Sequence, residues 1–520
     1  MLLLELPPEL LRNAIQQSIP DGFENLMLSC KTLYECGQEF IEDYNIKVKE
    51  CRTVSLSAFD NRTALYWLHR IAEEPSLSHY MRTVDLKGNK AYMHCDTLRV
   101  AVEELRKTPA YRDFLKLKEN SAVLQRIGEF VASSPYIGGD EGFWTSKILT
   151  YVDKPVRSDD SDFFRGVFFL TLLPNVRTLT LPWNNNYVPW SRDETTKGTG
   201  TCHYRDVFDK IQRKARDLHV DAALGLVKRL EYLLETEYDV KAGLSFLSPF
   251  LVLPCLEELY ATSLVATKFE YSFAWKYPDV VSNLRSIELV SCALDATGVS
   301  ELLAHMPHLV SFKYSHGCKH HGLEAYWDAG AFVAAVGKHA GNRLQHLAIT
   351  TEIRGLNEVM TGVTSLREFA RLETLEVHYA YFCGPSIESG EQVFMGTPPN
   401  PGYEKWTIEA IPPLQQILPS SLKSFVLFVE PNSYCPISGA KPLFPLFNGF
   451  ASAQASALPK LERCEVFCRG KEFGSDGDGR DVVYEYLKDE GISCQFGDGL
   501  EPPWRSAFKA QFVCELLDRE

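Results

Sequence analysis

The segments LRSIEL (284–289), LVSFKY (309–314), LQHLAI (344–349) and LETLEV (372–377) share the pattern L-x-x-L-x-L, in which Ile, Val, Phe or Tyr can replace the second or third Leu. Its last two apolar residues are two positions apart, and side chains at that spacing on a strand point to the same face of a sheet. Each segment therefore predicts a short strand with two side chains facing the core. Ten segments fit the pattern when other residues are allowed, and their first positions are Met81, Val176, Val227, Leu256, Leu284, Leu309, Leu344, Leu372, Leu422 and Leu461.

Helical stretches alternate with these strands. Residues 298–305, 330–339 and 356–370 each carry an apolar stripe at helical spacing, which predicts helices packed behind the strands. From Val227 to Leu372 the pattern recurs at intervals of 25 to 35 residues, near the period of roughly 20–29 residues that is typical of leucine-rich repeats. Stacked strand–helix units bury a continuous core that no single unit buries alone. We therefore expect an irregular leucine-rich-repeat solenoid, a degenerate horseshoe; an ordinary α/β domain with leucine-rich strands is the alternative.

The first forty residues carry a different pattern, that of short helices. LPPELL (6–11) places prolines at first helical positions, where a missing N–H costs little. Residues 20–22 (PDG) supply turn chemistry before a second apolar stripe, which ends in LSCKTLY (28–34). The apolar residues at helical spacing are Leu10, Leu11, Ala14 and Ile15 before the turn and Phe23, Leu26, Met27, Cys30 and Leu33 after it. Helices this short cannot hold a stable core alone, so they need a partner surface.

This arrangement resembles the F-box of fungal proteins over residues 4–45, although Leu33 stands where many members of that family have Trp. The resemblance implies that the helices bind a Skp-type adaptor and, through it, a cullin scaffold. The adaptor-binding residues that it implies are Leu6, Pro7, Glu9, Leu10, Ile15, Ile19, Leu26, Leu28, Lys31 and Leu33. The alternative is a helical hairpin that only caps the strands behind it.

Two long insertions interrupt the strand pattern, near 183–203 and 382–413. Both combine aromatic residues with polar residues and glycine, and exposed aromatic side chains are common among the residues that dominate protein interfaces. We therefore expect target binding by Trp183, Tyr187, Trp190, Tyr403 and Trp406. Alternatively, these tryptophans fold back and cover the edge of the solenoid.

Composition favours an intracellular interaction protein. The formal net charge of −14 argues against a nucleic-acid surface, which needs a basic stripe. No apolar stretch approaches the roughly 20 residues that span a bilayer, and the N-terminus has no basic region before an apolar run. We expect no nucleic-acid partner, no membrane partner, a cytoplasmic or nuclear location, and the 14 cysteines as reduced thiols.

Candidate chemical sites are weak. His305, His308, His316, Cys318, His320 and His321 lie close together in sequence, but their spacing matches no standard zinc pattern. The segment GSDGDGR (474–480) lacks the ligand series of a calcium loop, and neither a phosphate-binding loop nor a G-x-S-x-G elbow is present. We therefore expect no catalytic residues, no metal and no cofactor.

The expected organisation is α/β, with a helical F-box at 1–45, a helical linker and first degenerate repeat at 46–160, and the repeat solenoid with a C-terminal cap at 161–520. The expected function is that of a non-catalytic substrate-recognition subunit of an SCF-type E3 ubiquitin ligase, with an unknown protein target. The alternative is a structural or scaffolding leucine-rich-repeat protein that is not coupled to ubiquitination.

Overall fold

The computed structural model describes residues 3–57, 64–88, 121–149, 161–181, 203–218, 222–268, 271–319, 326–351, 358–362, 365–383, 411–429, 443–469, 478–497 and 499–512. The chain divides into two compact units, Met1–Tyr232 with Leu253–Leu256, and Leu233–Val252 with Glu257–Glu520. Both units are mixed α/β, and the strands of each pair in parallel.

In its described residues, the first unit combines helices with four parallel strands. Its helices are α1 (Pro8–Gln17), α2 (Phe23–Ser29), α3 (Lys31–Cys51), α4 (Ala64–Glu73), α5 (Leu77–Tyr80), α6 (Ser121–Ala132), α7 (Glu141–Leu149), α8 (Ser161–Leu170) and α9 (His203–Leu218). Its strands are β1 (Thr53–Ser57), β2 (Thr83–Gly88), β3 (Thr178–Thr180) and β4 (Arg229–Tyr232), and they are neighbours in that order.

The second unit is built on eight parallel strands in the order β6-β8-β9-β11-β13-β14-β15-β16. Its strands are β5 (Ala242–Gly243), β6 (Glu258–Thr262), β7 (Leu264–Ala266), β8 (Ser286–Leu294), β9 (Ser311–His316), β10 (Tyr326–Asp328), β11 (His346–Thr351), β12 (Glu358–Thr361), β13 (Thr374–His378), β14 (Ser424–Val429), β15 (Arg463–Cys468) and β16 (Ser493–Phe496). Its helices are α10 (Ser248–Leu251), α11 (Ala296–Leu303), α12 (Ala329–Ala340), α13 (Ala380–Cys383), α14 (Leu414–Ile417), α15 (Leu443–Phe447), α16 (Phe450–Ala457), α17 (Asp478–Asp489) and α18 (Pro503–Phe512).

The L-x-x-L-x-L segments of the second unit lie on neighbouring strands in a common register. Ile287 pairs with Phe312, Phe312 with Leu347, Leu347 with Leu375, and Leu375 with Phe425. All five side chains are buried. In the first unit the corresponding residues Val84, Leu179 and Leu230 are also in register. The sequence pattern therefore marks structurally equivalent positions.

Two helices of the second unit begin at aspartate caps. The Asp295 carboxylate accepts a hydrogen bond from the Gly298 backbone N–H at 2.7 Å before α11, and Asp328 accepts one from the Ala331 N–H at 2.9 Å before α12. Helix α12 packs behind the strands, where the Phe332 ring lies 4.6 Å from the ring of Tyr314. These helices match the stripes predicted at 298–305 and 330–339.

The helix predicted at 356–370 is wrong in the part that the structure describes. Residues Glu358–Thr361 form β12, which pairs in parallel with β10, and residues 365–370 are turns and irregular backbone. Val359 and Met360 belong to β12, which forms backbone hydrogen bonds with β10. A short apolar run such as this one can form either a helix or a strand, and here the pairing with β10 stabilises the strand.

A final segment covers one face of the second unit's sheet. We call residues 500–512, which include α18, the C-terminal strap. Leu500 packs against Val426, Phe428 and Phe467 on β14 and β15. Further along, the strap packs against residues of β6, β8 and β11; this cluster comprises Leu233, Tyr260, Val290, Ala348, Trp504 and Phe508, with Phe512 against it. The strap therefore crosses from β15 to β6 on the face opposite Phe332.

Candidate interaction surfaces

The N-terminal helices enclose a small apolar interior. Leu11 and Ile15 of α1, Met27 of α2 and Leu33 of α3 are all buried. Gly37 of α3 faces this interior, since a Cβ at that position would overlap the Met27 Sδ atom. Close packing at this point fixes the relative orientation of the three helices, and with it the set of side chains that face outward.

The ten residues implied by the F-box resemblance differ in exposure. Ile15 and Leu33 contribute to the interior of the three helices, with 0% and 3% of their surface exposed. Leu10 is 49% exposed and Leu28 is 83% exposed, so both side chains are accessible to another protein. Of the others, Pro7, Glu9 and Lys31 are exposed, and Leu6, Ile19 and Leu26 are half-buried.

Exposed apolar side chains concentrate in this region. Among the residues that the structure describes, eight large apolar side chains are exposed, and five of them belong to residues 4–46. They are Leu4, Leu10, Leu28, Tyr34 and Ile46. Single exposed leucines are ordinary, but a local concentration of them is typical of an interaction surface.

Another side of the same helices contacts residues that flank α4, β2 and β3 of the first unit. The Asp21 carboxylate, in the turn between α1 and α2, accepts hydrogen bonds from the Arg82 guanidinium at 2.8 Å and from the Asn175 amide at 2.7 Å. Lys47 of α3 contacts the Glu74 carboxylate at 2.6 Å. The hairpin therefore docks on its own unit and still leaves apolar side chains exposed.

Tyr44 extends this docking surface. Its hydroxyl donates to the Glu24 carboxylate at 3.0 Å, and its ring lies 4.5 Å from Phe23 and 5.8 Å from Tyr80. Burial raises the pKa of Tyr44 to about 12, and the hydrogen bond to Glu24 adds to the shift. Burial also raises the pKa of Tyr80 to about 12.

The strap-side face of the second unit mixes apolar and charged residues. Tyr260, Glu288, Lys313, Ala348 and Glu376 occupy one register row across β6, β8, β9, β11 and β13. Lys313 and Glu288 form an ion pair at 2.9 Å. The pattern predicts that residues between the core positions face out along the sheet; Tyr260 and Ala348 do point away from the helices, but the strap buries them.

The strap begins its helix at a carboxylate. The Trp504 backbone N–H, at the start of α18, donates to the Glu376 carboxylate at 3.1 Å. Burial raises the pKa of Glu376, and this hydrogen bond opposes the rise. A carboxylate at a helix N-terminus is a favourable contact, so Glu376 links the sheet to the strap.

Two of the candidate zinc ligands, His305 and His316, pack against aromatic side chains. The buried His316 ring stacks on Trp327 at 4.3 Å, and its Nδ1 atom lies 3.0 Å from the Tyr314 hydroxyl. His305 stacks on Trp275 at 4.7 Å. Within the described ranges, no group of three or more His, Cys, Asp or Glu side chains is arranged to hold a metal ion. His320 and His321 lie outside those ranges.

A buried lysine was missed by the sequence reasoning. The Nζ atom of Lys319 donates to the hydroxyls of Ser263 and Ser291 at 3.0 and 2.9 Å, and to the Thr236 and Glu237 carbonyls at 3.2 and 3.3 Å. The two serines have positive φ angles, 55° and 56°, and stand just after the paired residues Thr262 and Val290 of β6 and β8. Serine with positive φ leaves no signal in a pattern of apolar spacing.

The described thiols form no disulfide bonds. Burial raises the pKa of the Cys464 thiol to about 12. The pKa of Cys468 is raised by a hydrogen bond with Cys494, whose sulfur lies 3.9 Å away, and by burial. These shifts disfavour the thiolate, the form needed for nucleophilic attack.

The residues predicted to bind a target, Trp183, Tyr187, Trp190, Tyr403 and Trp406, lie outside the described residues. Their role stays a prediction.

No protein-family model and no curated protein matches this sequence. In the described part of the chain, no helix combines the length and apolar character needed to cross a membrane.

Proposed function

We propose that this protein is a non-catalytic substrate-recognition subunit of an SCF-type E3 ubiquitin ligase. In this proposal the N-terminal helices form an F-box that binds a Skp-type adaptor, and the strand–helix units form an irregular leucine-rich-repeat solenoid that binds a protein target. The reaction is accelerated by proximity, because holding a target lysine near a charged conjugating enzyme raises its effective concentration.

One observation carries the proposal. Leu10 and Leu28 remain 49% and 83% exposed although the helices around them have a packed interior and a second side that contacts Arg82 and Glu74 of the first unit. A helical hairpin that only caps a sheet has no need of apolar side chains on its remaining surface, where they favour association. A protein partner at this surface accounts for them.

The experiment is an affinity measurement between the full chain and a purified Skp-type adaptor. Replacing both Leu10 and Leu28 by Ala should weaken adaptor binding by more than about tenfold, since truncation of residues that dominate an interface often costs at least about 2 kcal/mol. The matched control is Val482→Ala, which truncates a comparably exposed aliphatic side chain (57%) outside the N-terminal helices. The control should bind the adaptor as the natural chain does.

A second candidate function is that of a scaffolding protein whose N-terminal hairpin serves as a cap. The contacts of Asp21 with Arg82 and Asn175 favour it, because they join the hairpin to residues beside β2 and β3. This role needs no adaptor. It gains support if the full chain fails to bind the adaptor at high concentration, while Asp21→Ala lowers the melting temperature of the first unit.

A further inference from the structure

The strap uses one helical side to cover the sheet. Trp504, Phe508 and Phe512 follow one another at four-residue intervals on α18, and these side chains turn toward the sheet. The Phe512 ring lies 5.2 Å from the Tyr260 ring, and Phe508 lies 6.3 Å from it. Ser506 and Ala507, on the other side of the helix, are exposed. The strap therefore has the form of an amphipathic helix laid on an apolar surface.

Buried polar atoms of the strap and of the strap-side face have no hydrogen-bond partner. Among the described residues, the Trp504 Nε1 atom has no hydrogen-bond partner, and neither do the hydroxyls of Ser315 and Thr350. The two hydroxyls are paired in register on β9 and β11 and, by strand alternation, lie on the same face as Ala348. Unpaired buried donors and acceptors make a contact weaker than its apolar area indicates. The strap is thus an imperfect occupant of this face.

We propose that the strap-side face of β6, β8, β9 and β11 is the binding site for a target segment, and that the strap occupies it in the unbound protein. This inference rests on the proposed target-binding role. The segment that fits is a short helix with aromatic side chains at positions i, i+4 and i+8, preceded by an apolar residue that takes the place of Leu500. Binding requires the strap to leave, so the strap holds the site closed until a better-fitting segment competes with it.

The charges on the face refine the partner. Glu288 and Lys313 neutralise each other in the row between Tyr260 and Ala348, and Glu376 contacts the start of the strap helix. A target helix whose N-terminal N–H groups point at Glu376 repeats the contact of Trp504. The site therefore selects for helix direction as well as for aromatic spacing.

The test uses the full chain and a fluorescent peptide of residues 499–512 as the probe. In the natural chain the attached strap competes with the probe at high effective concentration. The variant Trp504→Ala/Phe508→Ala weakens the attached strap. We expect it to bind the probe at least tenfold more tightly than the natural chain does. A probe with the same residues but with the aromatic spacing scrambled should not bind. Adding Tyr260→Ala to the double variant should reduce binding of the intact probe.

Hydrogen–deuterium exchange reports the strap directly. In the double variant we expect faster exchange in the strap and unchanged exchange in β9 and β11, which also demonstrates that the sheet is intact. Phe512→Ala is the milder variant, because Phe512 is only half-buried; it should speed exchange at the end of the strap alone.

Equal probe binding by the natural chain and the double variant would overturn the inference, as would strap exchange that the substitutions leave unchanged. Loss of sheet protection in Phe512→Ala would also overturn it, because the strap would then be part of the core. Probe binding by the released variant supports the inference whether or not the chain binds an adaptor, so failure of the adaptor role is detected separately.

Discussion

At the scale of single residues, stability depends on close backbone contacts and buried polar groups that the repeat pattern does not contain. Gly298 lies where a Cβ would overlap the backbone carbonyl of Ala266, and Lys319 joins residues from several turns through its ammonium group. Neither residue belongs to an L-x-x-L-x-L segment. Each leads to a stability prediction.

Gly298→Ala should lower the free energy of unfolding by about 1–3 kcal/mol, because the added methyl group meets backbone that cannot move aside as a flexible side chain would. Chemical denaturation measures the change. Thr297→Ala is the control, since Thr297 is the exposed neighbour on the same helix and should change stability by less than about 0.5 kcal/mol. Equal effects of the two substitutions would contradict the packing argument.

Lys319→Met should cost about 2–3 kcal/mol, because it leaves the Ser263 and Ser291 hydroxyls and two carbonyls with fewer donors in a buried place. The expected result is a lower melting temperature of the full chain. Lys338→Met replaces an exposed lysine of α12 and should leave the melting temperature unchanged. A fully stable Lys319→Met chain would show that these bonds contribute little.

At the scale of elements, the L-x-x-L-x-L spacing predicted strands correctly, whereas a short apolar run without this spacing, at 356–370, was assigned to the wrong element. All ten segments contain or adjoin a strand, because two buried residues on one face and a preceding turn leave few alternatives. An eleventh, CRTVSL (51–56), was missed since it begins with Cys rather than Leu, yet Val54 and Leu56 are buried on β1. The sequence did not show which surface the strap covers, because the strap's contacts join residues far apart in sequence.

Helix α3 supplies an alkaline-pH prediction. The pKa of Tyr44 is raised from 10.0 to about 12 in the folded chain. The resulting stabilisation is therefore complete below pH 10 and is lost as the pH rises from 10 to 12. We expect a loss of about 1 kcal/mol from this residue, less than the shift would give without solvent screening. Circular dichroism across this range measures it.

Tyr44→Phe should show a flatter decline of stability between pH 10 and 12, and the remaining decline comes from other groups with a raised pKa, Tyr80 and the Cys464 thiol among them. Tyr34→Phe, at an exposed position of the same helix, should follow the natural chain. If Tyr44→Phe declines as steeply as the natural chain does, the docking of α3 does not depend on this tyrosine.

At the scale of the whole molecule, the proposed function needs surfaces rather than a reaction centre. The exposed leucines among the F-box candidates, Leu10 and Leu28, were available from the sequence through the family resemblance alone. Only the structure shows which of the candidates are exposed and which, such as Ile15, are buried, because burial depends on how the three helices pack. The aromatic residues predicted to bind a target lie in the two insertions. The target site that we propose on the sheet face beneath the strap is a different surface.

The most direct measurement is hydrogen–deuterium exchange of the full chain with and without a saturating Skp-type adaptor. The account predicts slower exchange in α1, α2 and the first turns of α3, which carry Leu10, Leu28 and Tyr34, and unchanged exchange in β9 and β11. Unchanged exchange in the N-terminal helices, or protection confined to the second unit, would contradict the claim that these helices bind the adaptor.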